Sequence, residues 1–84
     1  MTESHEEKLS RLARLKTDAE AAYDKMYNVH TDNDTRLQFD LAEEMLIQAS
    51  RLAAELGMED ESKSLSARCQ HIRNVYRHQF RRPT

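Results

Sequence analysis

The chain is 84 residues long, with one Gly, one Pro, one Cys and no Trp. Domains typically run roughly 50 to 250 residues and linkers are usually rich in Gly or Pro, so we predict a single domain over residues 1–84 and no second one. Hydrophobic residues make up 38% and charged residues 33%, which limits the chain to a thin core. A deep catalytic cleft is not expected at this size.

The apolar content is low enough to raise the question of disorder. Leu, Ile, Val and Phe together account for 15 of the 84 residues. This fraction lies below the roughly 20% that accompanies disorder when the net charge is also high. The net charge is only -2, so half of that signature is absent. The spacing of the apolar residues must therefore decide whether a core forms.

The first predicted helix covers about residues 6–30, a stretch without Gly or Pro. Its apolar residues recur at alternating spacings of three and four, which is typical of one helix face. They are Leu12, Leu15, Ala19, Ala22, Met26 and Val29. Five short polar residues follow at 31–35 and predict a turn, with Asp32, Asp34 or Thr35 as the next N-cap.

The second predicted helix covers about residues 35–56 and ends before Gly57. Only Gly adopts the left-handed position after a helix without strain, and Met58 could then fold back as the hydrophobic contact of a Schellman motif. Its predicted buried face consists of Phe39, Ala42, Met45, Leu46, Ala49, Leu52, Ala53 and Leu56.

The third predicted helix covers about residues 60–82. Acidic residues at 59–61 suit a helix start, and Pro83 disfavours helical geometry in the residue before it. One face carries Leu65, Cys69, Ile72, Tyr76 and Phe80. Three such helices joined by short turns predict an all-α, antiparallel up-down-up three-helix bundle. The alternative is a helical hairpin whose first helix pairs with another copy.

Charge is divided unequally along the chain. Residues 1–63 hold all 15 acidic residues, whereas residues 64–84 hold five Arg and no acid. Arg73, Arg77 and Arg81 recur at every fourth position and define a basic ridge, with Arg82 on the opposite flank of the same helix. The near-neutral total therefore hides a basic third helix.

Two interpretations of this helix stay open. Arginines beside Tyr76 could bind phosphate bidentately, which would suit RNA or DNA. Alternatively, the arginines pair with acids of the same chain at one end of the bundle. Those acids are Asp24, Asp32, Asp34, Asp40, Glu43 and Glu44.

Catalytic and metal-binding patterns are weak. His30, His71 and His78 form no HxxxH or ExxH pair, and a calcium loop beginning at Asp32 would place Leu37 where Gly is required. Cys69 falls on the apolar face, where a thiol behaves as a small hydrophobe. We therefore predict a non-enzymatic protein with no cofactor and no metal.

The terminal sequence and the cysteine content concern localisation. One Cys excludes an intrachain disulfide, the first ten residues lack the pattern of a signal peptide, and no segment has the roughly 20 apolar residues that span a bilayer. A cytoplasmic protein without membrane contact is the expectation.

Partner binding is the remaining use of such a bundle. Leu37, Leu41 and Ile47 fall off the main apolar stripe of the second helix, and Tyr27 falls off that of the first. They could form an apolar surface for a protein partner or a second copy, or Leu41 and Ile47 could simply widen the core. The sequence predicts a small protein-protein interaction module, with homodimerisation open and nucleic-acid binding as the alternative.

Overall fold

The computed structural model describes residues 3–80 and confirms the all-α, three-helix prediction. Helix α1 spans His5–Met26, α2 spans Asp32–Glu55 and α3 spans Glu59–Val75. A π-helical segment, Tyr76–Phe80, continues α3. Arg81 and Arg82, which the sequence places at the end of the third helix, lie outside the described residues.

The predicted turn between α1 and α2 is displaced towards the amino terminus. Thr31, not Asp32, Asp34 or Thr35, caps α2, and its hydroxyl accepts a hydrogen bond of 3.1 Å from the Asp34 backbone N–H. Thr31 takes the cap because its backbone is extended, so the two aspartates enter the first turn, where their charge faces the positive end of the helix. The prediction of the cap residue was wrong.

Helix α1 also ends earlier than predicted, at Met26 instead of residue 30. The side-chain amide of Asn28 donates to the Asp24 carbonyl oxygen at 3.1 Å. The Tyr27 N–H bonds to that same oxygen at 3.2 Å, a tightened final turn. The Asp24 carbonyl oxygen in the last turn of α1 therefore has hydrogen-bond donors although the helix does not continue.

Gly57 ends α2 as its position predicts. Its φ is 78°, the left-handed region that favours glycine. The Met58 N–H bonds to the Ala53 carbonyl at 2.8 Å and the Gly57 N–H to the Ala54 carbonyl at 3.0 Å. These are the two hydrogen bonds of a Schellman motif, which turns the chain into α3.

Helix α2 lies between α1 and α3 and packs against both. The core is thin and rich in alanine, which lets the helix backbones approach closely. Its hydrophobic members are Leu12, Ala19, Ala22, Met26, Ala42, Leu46, Ala49, Leu52, Ala53, Leu65, Cys69 and Ile72. All twelve belong to the helix faces whose spacing predicts burial. Seven other members of those faces are only partly buried: Leu15, Val29, Phe39, Met45, Leu56, Tyr76 and Phe80.

Polar contacts between helices fit the up-down-up order. Lys8 near the start of α1 pairs with Glu55 at the end of α2, at 3.4 Å. Ser50 and Ser62 each donate a hydroxyl hydrogen bond to the other's carbonyl oxygen, at 3.0 and 2.9 Å, so α2 and α3 meet through small side chains. Helices α1 and α2, and α2 and α3, then run in opposite directions.

Arg68 joins α3 to α1. Its guanidinium donates to both carboxylate oxygens of Glu20, at 2.9 and 2.6 Å, and lies 5.0 Å from the centre of the Tyr23 ring. The hydrogen bond from Arg68 lowers the pKa of Glu20 below its ordinary value. Lys16 and Glu61 form a second ion pair between these helices. Bidentate geometry makes the Arg68 pair the more directional of the two.

All five aromatic residues of the chain form one continuous series of ring contacts at the end of the bundle where α1 ends. Tyr23 contacts Tyr27, Tyr27 contacts Phe80, Phe80 stacks on Tyr76, and Tyr76 stacks on Phe39 with ring centres 4.2 Å apart. Phe80, the last residue of the π-helical segment, contacts Tyr27 with ring centres 5.1 Å apart.

Burial of Ile72 gives a direct test of the core. Its side chain is fully buried in α3. We expect Ile72→Ala to lower the free energy of unfolding by about 2 to 5 kcal/mol, measured by urea denaturation, because a cavity replaces the lost methyl groups. His71→Ala, at the exposed neighbouring position, is the control. A cost near zero for Ile72→Ala would show that α3 buries a different face.

The Glu20–Arg68 pair predicts a pH dependence. Because the pKa of Glu20 is lowered in the folded protein, its stabilisation is present above the unfolded pKa and is lost as pH falls through the folded pKa. Both side chains are partly exposed, so Glu20→Gln should cost about 1 kcal/mol or less at pH 7. Urea denaturation over a pH series should show this cost vanishing in acid. A pH-independent cost, or one equal to that of Asp18→Asn, would contradict the pairing.

Candidate functional site: the outer face of α2

Helix α2 has one face that its neighbours leave exposed. Its buried positions point towards α1 and α3, and the opposite positions stay in water. These positions recur at alternating spacings of four and three and are all exposed. They are Leu37, Leu41, Glu44, Gln48, Arg51 and Glu55, and we call them the outer face.

Two leucines form the apolar part of the outer face. Leu37 is 54% exposed and Leu41 is 40% exposed, one helical turn apart. Seven other leucines are present in the chain, and of these only Leu9 is also exposed. Adjacent exposed leucines in a chain so poor in large apolar residues are a feature that a protein partner can cover.

The remainder of the outer face is polar and carries charge of both signs. Gln48 donates a side-chain hydrogen bond of 3.1 Å to Glu44, and Glu55 is engaged by Lys8. Within residues 3–80, neither Glu44 nor Arg51 takes part in an ion pair. This face therefore presents one unpaired acid and one unpaired base two helical turns apart.

The other two predicted apolar contacts lie elsewhere. Ile47 is half-buried against the core and lines a groove of about 290 Å³ between α2 and α3, together with Arg73 and Cys69. Tyr27 is half exposed but belongs to the aromatic series at the end of the bundle. Its hydroxyl lies 2.9 Å from that of Tyr23, and this hydrogen bond, with burial, raises the pKa of Tyr27 to about 12.

The basic ridge is partly occupied by the protein's own acids. Arg73 donates to Glu43 at 2.6 Å, and this hydrogen bond raises the pKa of the Arg73 guanidinium. Arg77 is exposed and makes no ion pair within residues 3–80. Arg81 and Arg82 lie outside that range. The structure thus places one ridge arginine in an internal pair and one in solvent.

Histidines and the cysteine do not converge. Among the residues that the structure describes, no three His, Cys, Asp or Glu side chains lie together in a way that could hold a metal ion. Cys69 is buried in the core, and this burial raises the pKa of its thiol. Thiolate chemistry at Cys69 is therefore disfavoured.

No protein family, curated protein sequence or solved structure matches the chain. Between residues 3 and 80, none of the helices combines the length and the apolar character that crossing a membrane requires.

Sequence reasoning identified the two leucines but missed the polar residues that continue their face. The signal was present, because Glu44, Gln48 and Arg51 extend the four-three spacing that Leu37 and Leu41 begin. A stripe defined by apolar residues alone stops at Leu41. Reading spacing together with charge would have revealed its full length.

Arg73 and Arg77 should differ in their effect on stability. We expect Arg73→Gln to lower the free energy of unfolding by about 1 kcal/mol, because it breaks the pair with Glu43, and Arg77→Gln to change it by less than about 0.5 kcal/mol. Urea denaturation measures both. Combining Arg73→Gln with Glu43→Gln should add little to the loss. Equal effects at the two arginines would contradict the internal pairing.

Proposed function

We propose that the protein is a small non-enzymatic interaction module that binds another protein through the outer face of α2. The observation that carries this proposal is the exposure of Leu37 and Leu41 next to each other on a helix whose inner side is fully used by the bundle. A helix face with apolar anchors one turn apart suits a partner helix.

The surroundings of the leucines support a protein partner. The outer face carries Glu44 and Arg51, so its charge is mixed, not uniformly basic. Exposed apolar residues beside charges of both signs suit a protein interface, whereas nucleic-acid surfaces concentrate positive charge.

Nucleic-acid binding through α3 is the weaker proposal. Arg68 and Arg73 are held by Glu20 and Glu43, which neutralise their charge. Of the arginines of α3 and its π-helical extension between residues 3 and 80, only Arg77 is left without an acidic partner. The affinity for phosphate groups rises with the number of unpaired cations, so a single unpaired arginine contributes little affinity for nucleic acid.

Site-specific photo-crosslinking tests the proposal. A photoreactive phenylalanine at position 41 should give discrete protein adducts in cells, because that side chain would lie within an interface. The same group at Lys63, exposed on α3, is the matched control and should give none. Circular dichroism of each purified variant establishes that the helices are retained.

Two results would contradict the proposal. One is the absence of any adduct from position 37 or 41 while the fold is intact. The other is adduct formation with nucleic acid from α3, which would favour the alternative function.

A further inference from the structure

We propose that the partner at the outer face of α2 is a second copy of this chain, packed antiparallel about a two-fold axis near Gln48. This inference rests on the proposed function and specifies its partner. The observation behind it is a pattern of side chains along α2 that complements itself when the helix direction is reversed.

The spacing supplies the first step. From Leu37 to Glu55 the outer face follows the four-three alternation with which two helices pack side by side over their length. All six positions are exposed, and Lys8 of α1 contacts the stripe at Glu55. A second helix of equal length can therefore lie along this stripe.

Charge supplies the second step. Glu44 and Arg51 are seven residues apart, or about 10 Å along the helix, which is too far for a pair within one chain. In an antiparallel arrangement centred at Gln48, Glu44 of each copy lies opposite the partner's Arg51. Each otherwise unpaired charge then gains one partner, and the dimer contains two such ion pairs, one on each side of the axis.

The leucines fit the same arrangement. Leu41 of one copy lies against the partner's last α2 turn, opposite the aliphatic part of the partner's Glu55. Leu37 lies near the partner's Met58, which is itself 36% exposed. Glu55 in this region is already engaged by Lys8, so its charge is partly neutralised beside the leucines. Leu37 and Leu41 are thereby covered by the partner's last α2 turn and the residues that follow it.

Two other pairings are opposed by charge. A parallel pair would set Glu44 against Glu44 and Arg51 against Arg51. An antiparallel pair centred between Leu37 and Leu41 would gather four leucines but set Glu44 against the partner's Asp34. Like charges placed opposite each other weaken association.

Charge reversal tests the proposal on the purified full chain. Sedimentation equilibrium should show a concentration-dependent dimer that Glu44→Arg or Arg51→Glu each weakens by about tenfold or more, because each creates like-charge contacts. The double variant should restore the dimer. An equal mixture of the two single variants should form heterodimers, since opposite charges then face each other. Lys63→Glu, an equal change of charge on α3, should have no effect.

Three outcomes would overturn the proposal. A wild-type chain that stays monomeric at about millimolar concentration excludes the second copy as partner. In that case crosslinks from position 41 to a different protein would leave the proposed function standing. A dimer that the single variants do not weaken excludes the contact between Glu44 and the partner's Arg51. A dimer that Glu44→Arg strengthens indicates instead the pairing centred on the leucines, in which position 44 faces the partner's Asp34.

Discussion

The structure depends on helix α2 packing against two neighbouring helices with few large apolar side chains. Helix α2 packs against α1 and α3 at once, and three of its fully buried residues are Ala42, Ala49 and Ala53. Alanines allow close backbone approach but bury little area, so only a few large side chains such as Leu46 can fill the centre. The result is a thin, closely packed core. Polar contacts at its edges therefore contribute to holding the helices together.

Polar contacts supply that help at the edges of the core. The reciprocal Ser50–Ser62 hydrogen bonds hold α2 to α3, and the Arg68–Glu20 pair holds α3 to α1. The Arg68–Glu20 and Arg73–Glu43 pairs also reduce the positive charge that α3 offers to a ligand. The same packing leaves the far side of α2 uncovered, with Leu37 and Leu41 exposed. The same three-helix packing therefore leaves α3 with paired arginines and α2 with exposed leucines.

The fold was largely predictable because helical periodicity and the stop at Gly57 are local signals. The start of α2 was not, since several adjacent polar residues could each cap it and only the backbone conformation of Thr31 decides among them. The aromatic series and the Arg68–Glu20 pair join residues far apart in the chain, so no local pattern indicates them. Leu37 and Leu41 were identifiable as residues off the stripe, but their exposure depends on how far α1 and α3 reach around α2.

The claim that the outer face of α2 joins two copies is tested most directly by isotope-filtered NMR on an equal mixture of labelled and unlabelled chain. Only contacts between copies give signals in that experiment. We expect intermolecular nuclear Overhauser effects between the methyl groups of Leu41 and the side-chain methylene groups of the partner's Glu55. Intermolecular signals confined to α1 or α3, or none at all at concentrations where the chain is folded, would contradict the account.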